Sequence, residues 1–167
     1  LRSLINRLVL TAGLLAALPA LAMPTLTTKT ESGVTFAAPA DWKTLVTAAD
    51  HGVTISRDAF TSFDVHWYDY KSNRTLDQLL DLVVKVTGEN VPMGTVTETS
   101  RTSIAGGRLA TANFTTMGYT LKMGFAVGFD PSGTKVKAVI FRTSPESWSE
   151  LSAPQLIEAV MAGFKVP

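Results

Sequence analysis

The stretch Tyr119-Thr-Leu-Lys-Met-Gly-Phe-Ala-Val-Gly-Phe129 alternates more strictly than any other in the chain. On an extended backbone, successive side chains point to opposite faces. Tyr119, Leu121, Met123, Phe125, Val127 and Phe129 then share one face, while Thr120, Lys122, Gly124, Ala126 and Gly128 share the other. The first set predicts a strand face turned to the core. The second is rich in small residues, which predicts that another element packs close against it. Asp130-Pro-Ser-Gly133 predicts a turn, and 134–143 the hairpin partner. In that partner Val136, Ala138 and Ile140 face one way and Val139 and Phe141 the other, so its second half is predicted to be buried on both sides.

Working outward toward the N-terminus, 108–115 predicts the preceding strand, Gly106-Gly107 a hairpin turn, and the Thr-rich 95–102 an exposed or edge strand. Residues 75–87 predict a helix, because Leu76, Leu79, Leu80, Val83 and Val86 form one helical stripe. Thr75 and Gln78 have capping-box spacing, and Gly88 is placed to end the helix. Phe63 to Tyr70, FDVHWYDY, is rich in the aromatics that strands favour. Residues 43–47 and 53–57 predict a strand pair joined through Asp50-His51-Gly52, and Val34 and Phe36 mark a short strand ahead of Pro39. Met23 to Thr30 reads as a lead-in.

Toward the C-terminus, a short helical turn is predicted around Trp148. A final helix is predicted over 153–162, with Ser152 as N-cap, Pro154 in the first turn and Gln155 at the capping-box position. Strand runs interrupted by two main helices, about 75–87 and 153–162, indicate an α+β domain built on a mainly antiparallel sheet.

Residues 1–22 are read apart from this domain. Arg2 and Arg7, the apolar run Leu8 to Leu18 and the Ala20-Leu21-Ala22 end have the layout of a bacterial secretory signal peptide, cleaved after Ala22. The run is too short for the roughly 20 residues of a spanning helix, so no stable membrane anchor is expected after cleavage. One domain over 23–167 remains, located in the periplasm or the medium. Removing Arg2 and Arg7 from 15 basic side chains, against 14 acidic ones, moves the formal charge from +1 to −1. A near-neutral surface argues against nucleic acid as the partner. The absence of cysteine removes disulfides, thiolate metal sites and thiol catalysis.

The order of elements, with Phe36-Ala-Ala-Pro39-Ala-Asp-Trp42 at the front and Ala162-Gly163-Phe164-Lys165-Val166 at the close, resembles the PsbP-like superfamily. That superfamily includes the photosystem II accessory protein PsbP, the Ran-binding Mog proteins and the bacterial DcrB-like periplasmic proteins. A glycine between the middle strands, Gly106 or Gly107, fits the same pattern. The resemblance implies an α/β/α sandwich around a twisted, mainly antiparallel sheet. It also implies a non-enzymatic accessory or binding role without a shared active site, and for a secreted bacterial chain it points toward the DcrB-like members.

The chain has no G-x-S-x-G elbow, H-E-x-x-H, phosphate loop or dinucleotide glycine pattern, so no cofactor is expected. Asp64, His66, Tyr68 and Tyr70 share one strand face, opposite Phe63, Val65, Trp67 and Asp69. Asp64 and His66 at i, i+2 can supply two metal ligands or an acid beside an imidazole, but a metal site needs three or four, with His51 or a distant carboxylate completing it. The expectation is therefore no catalytic residue and no metal, with Asp64, His66, Tyr68 and Tyr70 as a binding face for a protein or small ligand of the envelope. Two alternatives stand beside it. One is a small secreted hydrolase or metal-dependent enzyme centred on Asp64 and His66. The other is a structural subunit of an envelope-assembly complex that docks a partner on 95–102 or another sheet edge.

Overall fold

The computed structural model describes residues 23–31, 33–47, 52–90 and 93–166. Strands β1 (Leu26–Glu31) and β2 (Val34–Pro39) pair as a separate antiparallel hairpin. The main sheet contains β3 (Lys43–Thr47), β4 (Gly52–Ser56), β5 (Ser62–Asp69), β6 (Gly94–Ile104), β7 (Gly107–Thr116), β8 (Tyr119–Phe129) and β9 (Lys135–Thr143). Its order is β3-β4-β5-β9-β8-β7-β6, and every neighbouring pair is antiparallel. Helix α1 (Leu76–Glu89) follows β5, while α2 (Pro145–Glu150) and α3 (Ala153–Gly163) follow β9. This is the α+β domain expected from the pattern of elements and the sandwich that the resemblance implies, with α1 on one face and α2, α3 and the β1–β2 hairpin on the other.

The alternation in β8 places the layers. Met123, Phe125 and Val127 are buried with Leu79 and Leu80 of α1. Ala126, on the opposite face, is buried with Leu156, Ile157 and Val160 of α3. Gly124 shows why that face carries small residues: a Cβ there would lie 2.3 Å from Ile157 Cδ1 and 3.2 Å from Trp148 Cη2. Beneath α2 and α3, Phe141 stacks on Phe63 at 4.4 Å between ring centroids and meets Trp148 at 5.9 Å and Trp42 at 6.4 Å. Trp42 thus sits in the core just ahead of β3. Its backbone carbonyl accepts from Lys29 Nζ, which ties the hairpin to the sheet.

Local sequence explains the boundaries, with four departures from expectation. The capping box of Thr75 and Gln78 forms as predicted, but α1 continues through Gly88 to Glu89 and ends at Asn90. Packing against the sheet outweighs the roughly 1 kcal/mol by which glycine weakens a helix interior. Ser152 is not a side-chain cap: it adopts φ 49° and ψ 54° and makes no capping bond, because the junction of α2 and α3 turns there. The cap that does form belongs to α2, where the Ser147 backbone N–H donates to Ser144 Oγ and Pro145 opens the helix. Residues 26–31 form a strand rather than a lead-in, held by backbone pairing along β2. The core face of β8 also stops short, since Tyr119 is 51% exposed where α1 no longer covers it.

Candidate binding face

The two sides of the sheet are covered unequally, and the difference creates the site. Seven strands at about 4.8 Å spacing make a sheet close to 30 Å wide, whereas a helix with its side chains is about 10–12 Å across. On its side α1 packs over β8, β7 and β6. Its outer flank is anchored by charge: Arg101 on β6 binds Asp81 and Glu98 at 2.7 Å each, and Arg108 on β7 binds Asp77 at 3.2 Å. The inner flank is apolar and faces the uncovered surface of β5 and β9.

Between that flank and the strands runs an open trough in three adjoining compartments. The middle one, about 420 Å³, is walled by Leu82, Val83 and Val86 and floored by His66, Tyr68 and Ala138. Toward the N-terminus of α1 it opens into about 310 Å³ beside Tyr70, Lys71 and Arg74, sharing Tyr68, Leu82 and Val83 with the middle. At the other end it meets about 530 Å³ beside Asp64, Phe60, Tyr119 and Arg142, sharing Thr87 and Ile140. The rim is apolar and open to water, with Leu82 39%, Val86 43% and Tyr68 50% exposed.

All four residues singled out from the sequence line this trough, and their partners differ. Asp64 Oδ1 accepts from Thr54 Oγ1 at 2.7 Å, so its carboxylate is held by β4. His66 lies parallel to Tyr68, with ring centroids 6.1 Å apart, and over Gly52 of β4, its register partner. A Cβ at Gly52 would approach His66 Nδ1 to 2.8 Å. Nδ1 is buried there without a hydrogen-bond partner. The pairing of acid and imidazole that the i, i+2 spacing allows is not formed. Tyr70 is largely architectural: its hydroxyl donates to the Arg74 carbonyl at 2.8 Å and its ring meets Phe129 edge-on at 4.8 Å. On the reverse of the strand, Trp67 is buried, with its ring edge-on to Phe164.

Among the described residues, no three His, Asp or Glu side chains gather as a metal site requires. His51, the third ligand considered above, lies outside the described residues. The expected edge strand 95–102 falls within β6, which is one edge of the main sheet. Its pairing register shifts between Glu98 and Ser100, and Glu98 and Arg101 are charged, features that blunt an edge against strand addition. The opposite wall of the trough was not foreseen. Leu82 and Val84 broaden the apolar arc of α1 beyond the single stripe, and that breadth was the available signal.

Solved structures share this architecture. The solution structure of cyanobacterial PsbP (CyanoP) from Synechocystis sp. PCC 6803 is 16% identical, aligns over 92% of this chain and 99% of its own, and gives a TM-score of 0.59. The crystal structure of the Saccharomyces cerevisiae Ran-binding protein Mog1p is 12% identical, aligns over 85% and 96%, and gives 0.66. The chain therefore has the PsbP-like fold, as the sequence resemblance implied. No protein-family profile and no curated protein matches the sequence. Among the described residues, no helix is long and apolar enough to cross a membrane.

Proposed function

We propose that this chain is a non-enzymatic accessory or binding domain of the bacterial envelope, exported to the periplasm or medium and cleaved after Ala22. It engages its partner through the trough that contains Asp64, His66, Tyr68 and Tyr70. The observation that carries this reading is the uncovered half of one sheet face, with an apolar wall on α1 and a floor of half-buried His66 beside exposed Tyr68. Tyr and His present apolar area with a polar tip, which suits recognition of another surface. The Ran-binding activity named for Mog1p supports a protein partner for the shared fold.

The test is a photo-crosslinking residue placed at Tyr68 in the exported protein, with Gln155 on the exposed side of α3 as control. Specific adducts at Tyr68 alone are expected, on a protein whose N-terminus is Met23. Identical adducts at both positions, or none at Tyr68, sink the binding face. An uncleaved N-terminus sinks the export reading separately.

A further inference from the structure

The trough also constrains the shape of what fills it. Its floor is made by β5 and β9, interior strands paired on both sides, so their backbone groups are already bonded to neighbours. An extended peptide laid on this floor finds no strand edge to join and would leave its own N–H and C=O groups unpaired against apolar side chains. A helix satisfies its backbone internally. The top of the trough is open, so a lipid chain or other wholly apolar ligand would keep much of its surface in water, whereas ligand sites usually bury most of a small ligand. An amphipathic helix shows that open side a polar face.

The dimensions agree. From β3 to β9 the uncovered strands span about 14 Å, enough to seat a helix about 10–12 Å across. Helix α1 has 14 residues, which makes one wall about 21 Å long at 1.5 Å per residue. Its apolar residues run from Val84 round through Leu80 and Val83 to Leu82, an arc of about 200° at 100° per residue. A helix covering one face needs about half that arc. The surplus, Leu82 and Val86, forms an i, i+4 ridge beside the trough of the kind against which a second helix packs.

Charge marks one end. There Asp69 is met by both Lys71 and Lys135, which leaves Arg74 as surplus positive charge, whereas at the other end Arg142 shares its compartment with Asp64. Arg142 Nε donates to the neutral Ser62 Oγ, and among the described residues neither arginine is in an ion pair. We propose that the trough receives one amphipathic α-helix of a partner protein, apolar along the side that meets β5, β9 and the Leu82–Val86 ridge, and acidic near the end that meets Arg74. This rests on the assignment of the same face as the binding surface.

Three labelled synthetic peptides of the same length as α1 test it against the purified protein. They share one apolar face: the first has Glu at both ends, the second Lys at both ends, and the third is the first with a central Pro. Fluorescence anisotropy reads binding, and amide chemical shifts locate it. The first should bind with shifts at His66, Tyr68, Leu82 and Val86, and each of Leu82→Glu and Val86→Glu should weaken it about tenfold or more. The second should bind at least about tenfold more weakly, with the difference shrinking in high salt. The third should not bind, because an interior Pro breaks the helix.

Equal binding by the Pro peptide overturns the helical partner, and equal binding by the Lys peptide overturns its acidic end. Shifts on the same amides from decanoate, with none from any peptide, overturn the helix but leave the face standing as a binding surface. A dimer seen by sedimentation and dissociated by Leu82→Glu replaces the partner with a second copy. Shifts confined to another surface overturn both the helix and the face.

Discussion

One sheet presents two very different surfaces, and β9 borders both. On the side of α2 and α3, Val139 and Phe141 are completely buried among Trp42, Phe63 and Ile157. On the other side, Ala138 and Ile140 border the trough. The strand's alternation treats the two sides alike, with apolar residues at consecutive positions. The difference lies in what covers them: two helices and a β hairpin on one side, a single displaced helix on the other. A closed face invests its apolar area in stability, and an open face keeps it available for a partner. Substitutions on the two faces should therefore separate into those that unfold the protein and those that leave it folded but unable to bind.

The largest expected effect is on the closed face. Phe141→Ala removes a fully buried ring that contacts three other aromatics and should cost about 3–5 kcal/mol, read from urea unfolding. A loss under about 1 kcal/mol would show that this face is not the main core. Next comes Gly124→Ala, which forces Ile157 Cδ1 away from a 2.3 Å approach and should cost about 1–3 kcal/mol. If it instead stabilises the protein, α3 does not press on β8 as closely as the structure has it.

Gly52→Ala is the open-face counterpart. Its Cβ would meet the His66 ring at 2.8 and 2.9 Å, but that ring stands at the edge of an open space and can rotate. The expected cost is about 1 kcal/mol, the low end for overpacking, with loss of the His66–Tyr68 stacking visible in their ring proton shifts. A cost comparable to that of Gly124→Ala would mean the trough is as tightly filled as the core.

Lys137 offers a pH measure of closure. On the α3 face it donates to the Phe164 carbonyl at 3.0 Å, with its ammonium 5.8 Å from the Phe164 ring centroid. Burial holds its pKa below the ordinary 10.5, opposed by the charge of Asp130. Across the window ending near 10.5 the unfolded chain binds more protons at this position than the folded one, so this residue makes stability rise with pH there. Below the window the charged amine carries its desolvation penalty in full. Wild type should therefore gain stability relative to Lys137→Met as pH rises from about 7 toward about 10.5, measured by urea unfolding at each pH. A gap that widens in the other direction would mean the amine is better solvated than its surroundings imply.

The sequence made the closed face more legible than the open one, for a physical reason. Alternation in 119–129 and 136–141 is a local property, and the small residues at Gly124 and Ala126 announced the close approach of α3. Alternation also placed Asp64, His66, Tyr68 and Tyr70 together on the trough side of the sheet. It could not supply the second wall, because Leu82 and Val86 become a wall only once α1 is set toward β6 and β7. Arg101 and Arg108, distant in sequence, help to hold it there. The strand β1 escaped notice for a related reason: Thr27, Thr28 and Thr30 carry no apolar period, and pairing with β2 makes the strand. Gly88 misled because its helix-stopping tendency is weaker than the packing that carries α1 two residues past the predicted end.

The smallest expected stability change is the most discriminating. Leu82 is 39% exposed and Val86 43%, on the wall of an open trough, so replacing either with Gln removes little buried area in the free protein. Glutamine also has a higher helix propensity than valine. Each substitution should shift stability by no more than about 0.5 kcal/mol, as at other surface sites, and Val86→Gln should fall on the stabilising side. Urea unfolding of Leu82→Gln, Val86→Gln and the double variant reads this directly. A destabilisation above about 2 kcal/mol would mean that these side chains are packed in the free protein, by a second copy or by another part of the chain, and the contrast between the two faces would collapse. Near-neutral values would leave Leu82 and Val86 as apolar surface maintained without benefit to the isolated fold, which is the condition expected of residues kept for a partner.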